Sequence, residues 1–448
     1  MVGIGIGLGI GCARSVVHPI YGVSWEAGTT NPALSRTGAA VGKVAAAGVG
    51  AGTVTNDFDT LAPWSEMTTV TDDLGNVFIR IPKVYVRKTA TSIEISKTPH
   101  AGFYLPWVFW DFTNGRELPY YLHGKHLASL GAGNVLESKA AVYPLMSKNI
   151  VEFRGYAQAN NAGGRLGYQQ LDVHAQDLIT SLFTVEFATL DCQSILQGYV
   201  SGQYSATHVA TVAEAGANRI IVASAHADLF RVGQSVSIGT SLGGNQVAYN
   251  RTITSIDVYD GSNKAISFDG AAVGIALGNI VYTSGYKTGF SSQVAASSGC
   301  VVANDGRYPC TYRGIESPWG DMWQFVDGVN INEMQAWVCA NAASYQSNLF
   351  FAPYEQLSYV NHNANGYPTE LGLDPAHPEA QFATAINASS ASSRYRDYYY
   401  QTTGQRVARV GGAWRIGSAA GLRYWALYYA SSNAYLGVGS RLLKKALS

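Results

Sequence analysis

The residues best equipped for chemistry in this 448-residue chain lie between Val410 and Leu443, in the stretch VGGAWRIGSAAGLRYWALYYASSNAYLGVGSRLL. The chemistry they suit is non-covalent recognition. Tyr424, Tyr428, Tyr429 and Tyr435 bring flat rings with a hydroxyl at the tip, and Arg415 brings a fixed cation. Ala, Ser, Asn and Gly lie between them. Tyrosine offers contact area at low entropy cost, and small neighbours let it fit. Covalent and metal chemistry have less to work with. Cys12, Cys192, Cys300, Cys310 and Cys339 show neither CxxC nor His-rich ligand spacing. Cys300 and Cys310 leave two readings open, a bridge closing a loop or free structural thiols, and free thiols are the expectation. A zincin His-Glu-x-x-His and a phosphate loop are both missing. Glu186 sits amid apolar residues and is expected to be a hydrogen-bonded structural carboxylate. No catalytic residue, metal site or cofactor is expected.

The elements that must position these residues follow from periodicity. From Leu422 to Tyr429 the chain alternates as a strand does, with Arg423, Trp425 and Leu427 on one face and Leu422, Tyr424, Ala426 and Tyr428 on the other. Beyond it, Ala434, Leu436 and Val438 oppose Asn433, Tyr435 and Gly437. One face is scaffold, so Trp414, Trp425, Leu427, Leu436, Val438 and Leu442 should be buried. The four tyrosines should be exposed and clustered. Asp172–Gln197 is the strongest helix, with apolar rows Leu178, Leu182, Val185 and Ile179, Phe183, Phe187, an N-cap at Asp172 and a stop at Gly198. A second helix is expected over Asn149–Asn160, with Arg154 at its centre. Val77–Val86 is a strand broken near Pro82, which suggests an edge or entry position. Thr207–Ser284 carries short β-branched runs between Gly, Asn and Asp turns, the texture of a small all-β module. At the other end, Val2, Ile4, Ile6, Leu8 and Ile10 alternate with glycines. This is a strand with one bare face, suited to docking on a neighbouring chain. A disordered leader is a second reading, and a lipoprotein-type site at Cys12 is the weaker third, because no positive residue precedes the run. The run from Gly42 to Gly52 has the composition of a flexible or tightly packed linker.

Bulk composition limits the partners. Net charge is zero and only 13% of residues are charged, so a dominant nucleic-acid surface is not expected. No apolar run reaches the roughly 18 residues of a membrane-spanning helix.

The frame GGxW-xxGS-xxGLxxWxL-xxxSS-xAxLxVGSRL resembles the variable region of target proteins of diversity-generating retroelements. These are phage tail receptor-binding and related surface proteins with a C-type-lectin-like fold, close to that of formylglycine-generating enzymes. In that family, adenine-directed mutagenesis of Asn-type codons randomises the binding face, and such codons never become Lys, Glu, Gln, Met or Trp. The positions that would vary or bind ligand are Ala413, Arg415, Ile416, Ala419, Ala420, Tyr424, Ala426, Tyr428, Tyr429, Ala430, Asn433, Tyr435 and Gly437. Val410–Leu443 holds no Lys, Glu, Gln or Met. The series YRGIESPWGDMWQFVDGVNI, Tyr312–Ile331, is similar to one carried by phage tail proteins of this group. Trp319, Trp323, Phe325 and Trp337 are expected in its core, and Arg313 is expected to pair with Glu316.

The resemblance implies an α+β fold: a C-type-lectin-like domain over 61–206 and 286–448, an inserted β module over 207–285, and an N-terminal Gly-rich attachment or oligomerisation segment over 1–60. Region 410–443 would be variable. It further implies a non-enzymatic virion protein, made in the bacterial cytoplasm and homotrimeric. Its partners would be a host cell-surface receptor, protein or glycan, and other tail proteins. Two alternatives stand beside it. One is a structural or sugar-binding tail protein without diversification, although Trp319-Gly320-Asp321 is not a calcium-lectin motif. The other, an enzyme of the formylglycine-generating type, is disfavoured because no cysteine follows Cys339.

Overall fold

The computed structural model describes residues 18–447. The alternating-glycine stretch and Cys12 therefore lie outside the described residues. Strands hold 37% of the chain and helices 14%, so the fold is β-rich, with two helices serving a curled half-barrel sheet.

That sheet has nine strands. Eight run in the order Glu355–Gln356, Gln335–Val338, Trp323–Asn332, Gln405–Gly411, Gly421–Tyr429, Tyr399–Gln401, Asn365–Leu371 and Ala383–Asn387. The ninth, Val438–Gly439, pairs parallel with Trp323–Asn332 off this path. A second sheet orders Tyr168–Gln170, Leu442–Lys445, Tyr120–Gly124, Val77–Pro82 and Thr68–Thr71. Val77–Pro82 is thus an interior strand and not an edge. Pro82 is tolerated because it is the strand's last residue.

Helix α1 (Ile150–Gln158) starts in a reciprocal capping box between Asn149 and Glu152. Its Arg154 reaches Asp327 with two bonds, at 2.6 and 2.9 Å. Helix α2 (Val173–Phe187) is buried along its whole length, so its polar residues need partners inside the fold. Lys88 pairs with Asp177, and Gln176 Nε2 donates to Leu422 O at 2.9 Å. Thr180 and Thr184 donate back to carbonyls one turn earlier. Glu186 is fully buried and takes Asn56 Nδ2 at 2.8 Å and the Arg313 guanidinium. The helix stops ten residues short of Gln197. Ala188 adopts φ 51° and donates to Thr184 O, an αL cap without the usual glycine.

The expected Arg313–Glu316 pair is not formed. Thr311 and Tyr312 pair with Glu316 and Ile315 in a tight hairpin. Arg313 and Gly314 form its tip at φ 48° and 82°. From there Arg313 reaches Glu186, and Asp59 at 2.6 Å. Glu316 instead binds His126 Nδ1 at 2.6 Å and accepts from the backbone of Gly289 and Ser291.

The described part of segment 1–60 does not stand apart. Tyr21–Ser24 pairs with Ser92–Ser96, Gly48–Val49 pairs with Gly299–Cys300, and Tyr21, Val23 and Phe58 join the principal core. Its apolar residues find their partners on α2 and the neighbouring strands. Residues 207–285 hold a five-stranded sheet, Arg219–Ala223, Asn263–Phe268, Gly244–Val258, Ser235–Ser241 and Ile280–Thr283. Its hydrophobic cluster includes Ile220, Phe230, Ile238 and Phe268. The chain leaves and returns at neighbouring points, since Thr283 N donates to Gln203 O at 2.8 Å.

Asp321 locks that junction. Its N–H donates to Tyr199 O, its carboxylate accepts Tyr286 N at 3.0 Å, and its carbonyl accepts Trp414 N. Burial pushes its pKa up to about 7, and burial does the same to Asp397. Both hold a proton in the folded chain where an unfolded aspartate, near pH 4, has lost it. Their contribution to stability is therefore fully present below about pH 4 and is lost as pH rises towards 7. The urea midpoint is expected to fall between pH 5 and 7.5, and an Asp321→Asn/Asp397→Asn variant should fall less. An equal slope in parent and variant would refute this assignment.

Candidate functional site

The recognition stretch is built on the strand Gly421–Tyr429, which lies between Gln405–Gly411, antiparallel, and Tyr399–Gln401, parallel. Most of this strand is covered on both faces. Leu422, Trp425 and Leu427 pack into the core around α2. On the other face Tyr424 and Ala426 join Phe153, Trp323, Phe325 and Trp414 in a second cluster. Trp414, Trp425, Leu427, Val438 and Leu442 are buried and Leu436 is half-buried.

Five of the expected site positions are buried. Tyr424 is only 6% exposed, its ring 4.6 Å from that of Trp323. Ala413, Ala420 and Ala426 are fully buried. Gly437 is buried at φ 79°, and a Cβ there would lie 2.9 Å from Trp414 Cη2. Gly437→Ala is expected to cost more than about 1 kcal/mol through both strain and overlap. A urea midpoint equal to the parent's would show that the loop gives way.

The open part of the surface begins where the strand ends. Tyr428, Tyr429 and Ala430 are half-buried and Tyr435 is 47% exposed. Asn433 shapes the turn between them, its Oδ1 accepting Ala430 N at 2.8 Å. The rings form a continuous row: Tyr400 lies 4.3 Å from Tyr428, Tyr428 lies 4.8 Å from Tyr429, and Tyr429 lies 4.8 Å from Tyr435. Beneath them sits Arg409, buried, with its guanidinium 3.4 Å from the Tyr429 ring centroid, 4.9 Å from Tyr428 and 4.7 Å from Trp323. Its Nε and Nη2 have no hydrogen-bond partner, and burial lowers its pKa. The aromatic faces take the place of a counter-ion here.

Arg415 is exposed, lying 4.5 Å over the Tyr204 ring. Ile416 and Ala419 are half-buried at the short turn Gly417–Ala419. Sequence reasoning missed Arg409, Tyr400, Tyr204 and Tyr249. For Tyr400 a signal existed in the run Tyr398-Tyr399-Tyr400, which the structure places beside Trp425 and Ala426 with Tyr399 buried and Tyr400 half-buried. Nothing local marks the others.

Among the described residues, no group of three or more His, Cys, Asp or Glu is placed to hold a metal ion. Cys192, Cys300, Cys310 and Cys339 are free and buried. Burial raises the thiol pKa of Cys300 to about 11, away from thiolate reactivity. Sequence reasoning expected no Gly-x-Ser-x-Gly, and that reading was wrong: the Gly239–Gly243 pentapeptide spells it. It forms a β-hairpin turn in which Ser241 faces Gly244, whereas a nucleophile elbow needs a strand-to-helix turn. No described helix is long and apolar enough to cross a membrane. No protein-family model matches the chain, and no curated protein matches it either.

Proposed function

We propose that the chain is a phage tail receptor-binding protein, non-enzymatic and homotrimeric, made in the bacterial cytoplasm and carried on the virion. In this reading a C-type-lectin-like domain presents residues 410–443 to a host surface ligand, and a diversity-generating retroelement varies that face. The observation that carries it is the row Tyr400, Tyr428, Tyr429, Tyr435 at the open end of a strand whose other residues, Arg423 apart, are buried. A rigid scaffold with changeable side chains at one end lets the surface alter while the fold stays fixed. The burial of Ala413, Ala420, Tyr424, Ala426 and Gly437 favours, as a second reading, a tail protein whose site is fixed and not diversified. The two readings are separated by the genome around the coding sequence. A reverse transcriptase gene and a near-copy of the 410–443 coding stretch, differing only at adenines, are expected under the first. Absence of both would leave the second. Failure of the purified protein to bind host cells would remove both.

A further inference from the structure

A cleft of about 600 Å³ opens between the inserted β unit and the C-terminal loops. That lies within the range of about 300–1,000 Å³ typical of small-ligand sites. One wall is made by Tyr204, Gln246 and Tyr249, and the other by Arg415, Tyr429 and Tyr435. The walls are tied together. Gly202 N donates to Trp414 O, Gly417 N donates to Val200 O at 2.9 Å, and Ser147 N donates to Tyr435 O at 3.2 Å. Tyr143 and Thr252 share a hydroxyl–hydroxyl bond at 2.9 Å between the main body and the inserted sheet.

The lining is selective in its chemistry. Four phenol rings offer electron-rich faces that suit the C–H face of a pyranose, with hydroxyls at their tips for polar partners. Gln246 Nε2 is spent on Gly243 O at 3.2 Å and on the Tyr282 hydroxyl at 3.1 Å, which leaves its carbonyl to accept from a ligand hydroxyl. Arg415 is the only charged lining residue. It has no carboxylate partner among the described residues, and the Tyr204 ring holds its guanidinium in place. A planar fork of this kind takes a carboxylate with two parallel bonds. A protein epitope would want an apolar anchor pocket, and the cleft offers hydroxyls instead.

We propose that this cleft binds a carboxylate-bearing saccharide, a uronic- or sialic-acid unit of a surface glycan. Arg415 would take the carboxylate, the tyrosines the sugar faces, and the inserted unit would supply Gln246 and Tyr249 of one wall. The proposal rests on the receptor-binding reading for its biological setting, and on the cleft alone for its chemistry.

The test uses the full chain with methyl β-glucuronide and the 2-O-methyl glycoside of N-acetylneuraminic acid. The carboxyl-reduced counterpart of each serves as its control, and binding is followed by ligand-observed NMR. At least one acid is expected to bind with a Kd below about 10 mM, at least about five-fold more tightly than its neutral counterpart. Arg415→Gln should abolish that difference. Tyr204→Ala and Tyr249→Ala, with urea midpoints unchanged, should each weaken the acid about 2- to 10-fold. Equal binding of acid and neutral sugar, no binding of either acid, or unchanged binding in both tyrosine variants would overturn the proposal. Host-cell binding that survives Tyr204→Ala and Tyr249→Ala but falls in a Tyr428→Ala/Tyr429→Ala variant would remove the cleft and keep the receptor-binding reading. Sugar binding by a chain that ignores host cells would do the reverse.

Discussion

An Arg441→Ala variant is expected to lose at least about 4 kcal/mol of folding stability. Arg441 is 1% exposed, and its guanidinium makes five hydrogen bonds, all to neutral acceptors. Nε donates to Gln324 Oε1 at 3.1 Å. Nη1 donates to the carbonyls of Gly124 and Lys125 at 2.9 and 3.1 Å. Nη2 donates to those of Glu316 and Ser317 at 2.8 and 3.0 Å. Burial lowers its pKa to about 10, with Glu316 and Asp321 opposing the shift. The residue thus fastens three separate segments at one point. Alanine would take the Arg441 donors from four carbonyls and an amide oxygen. Lys125 O keeps Glu316 N and Ser317 O keeps a long bond from Gln324 Nε2, so the cost of about 1–3 kcal/mol applies to each acceptor left with no other donor where water cannot enter. Lysine should not restore the loss, because one ammonium has three donors and no planar fork. Urea unfolding at pH 6 checks this. A change below about 1 kcal/mol in Arg441→Ala would mean that the carbonyls find other partners.

The second large effect concerns recognition. Replacing Tyr428 and Tyr429 together by alanine is expected to weaken binding to host cells by several-fold to a few hundred-fold, about 1–3 kcal/mol. The two rings sit at the centre of the exposed row and rest on Arg409, so they are held rigid before any ligand arrives. Most binding energy comes from a few such central anchors. The smaller neighbours Ala419 and Ala430 shape the surface and contribute little. Under the proposed receptor-binding reading, three copies on one tail would add avidity of roughly 10²-fold where geometry permits, and a weak monomer with a strongly binding virion is the expected pattern. Because the substitution also uncovers the Arg409 guanidinium, the variant must be shown to fold and to be incorporated. Unchanged adsorption under those conditions would place the proposed receptor site off this row.

Local pattern was enough for the elements whose cause is local. The apolar rows of α2, the N-cap at Asp172, and the alternation around Trp425 are properties of short windows. Burial of Tyr424 is not, because the residues that cover it, Trp323 and Tyr398, arrive from distant positions in the chain. The same holds for Arg313, whose neighbour in sequence is Glu316 but whose hairpin tip aims it at α2. Arg409 could not have been recognised from sequence. An arginine in a strand is ordinarily an outward-facing residue, and only the assembled sheet places three aromatic rings around it. Half of the cleft was out of reach for a similar reason, since Tyr204 and Tyr249 meet Arg415 and Tyr435 only once the inserted sheet folds back.

The place of Leu442–Lys445 in the second sheet bears on how the chain is made. This strand separates Tyr120–Gly124 from Tyr168–Gln170 and bonds to both. Until it arrives, one side of Tyr120–Gly124 is a naked row of amides and carbonyls, a template for mispairing with another chain. Arg441 meets Gly124 across 317 positions, which at about 5–20 residues per second is roughly 15–60 s of synthesis. During that interval the nascent polypeptide carries an unfinished β-edge. Ribosome-associated holdases, or early pairing with a sister chain, would have to shield that edge before the sheet closes.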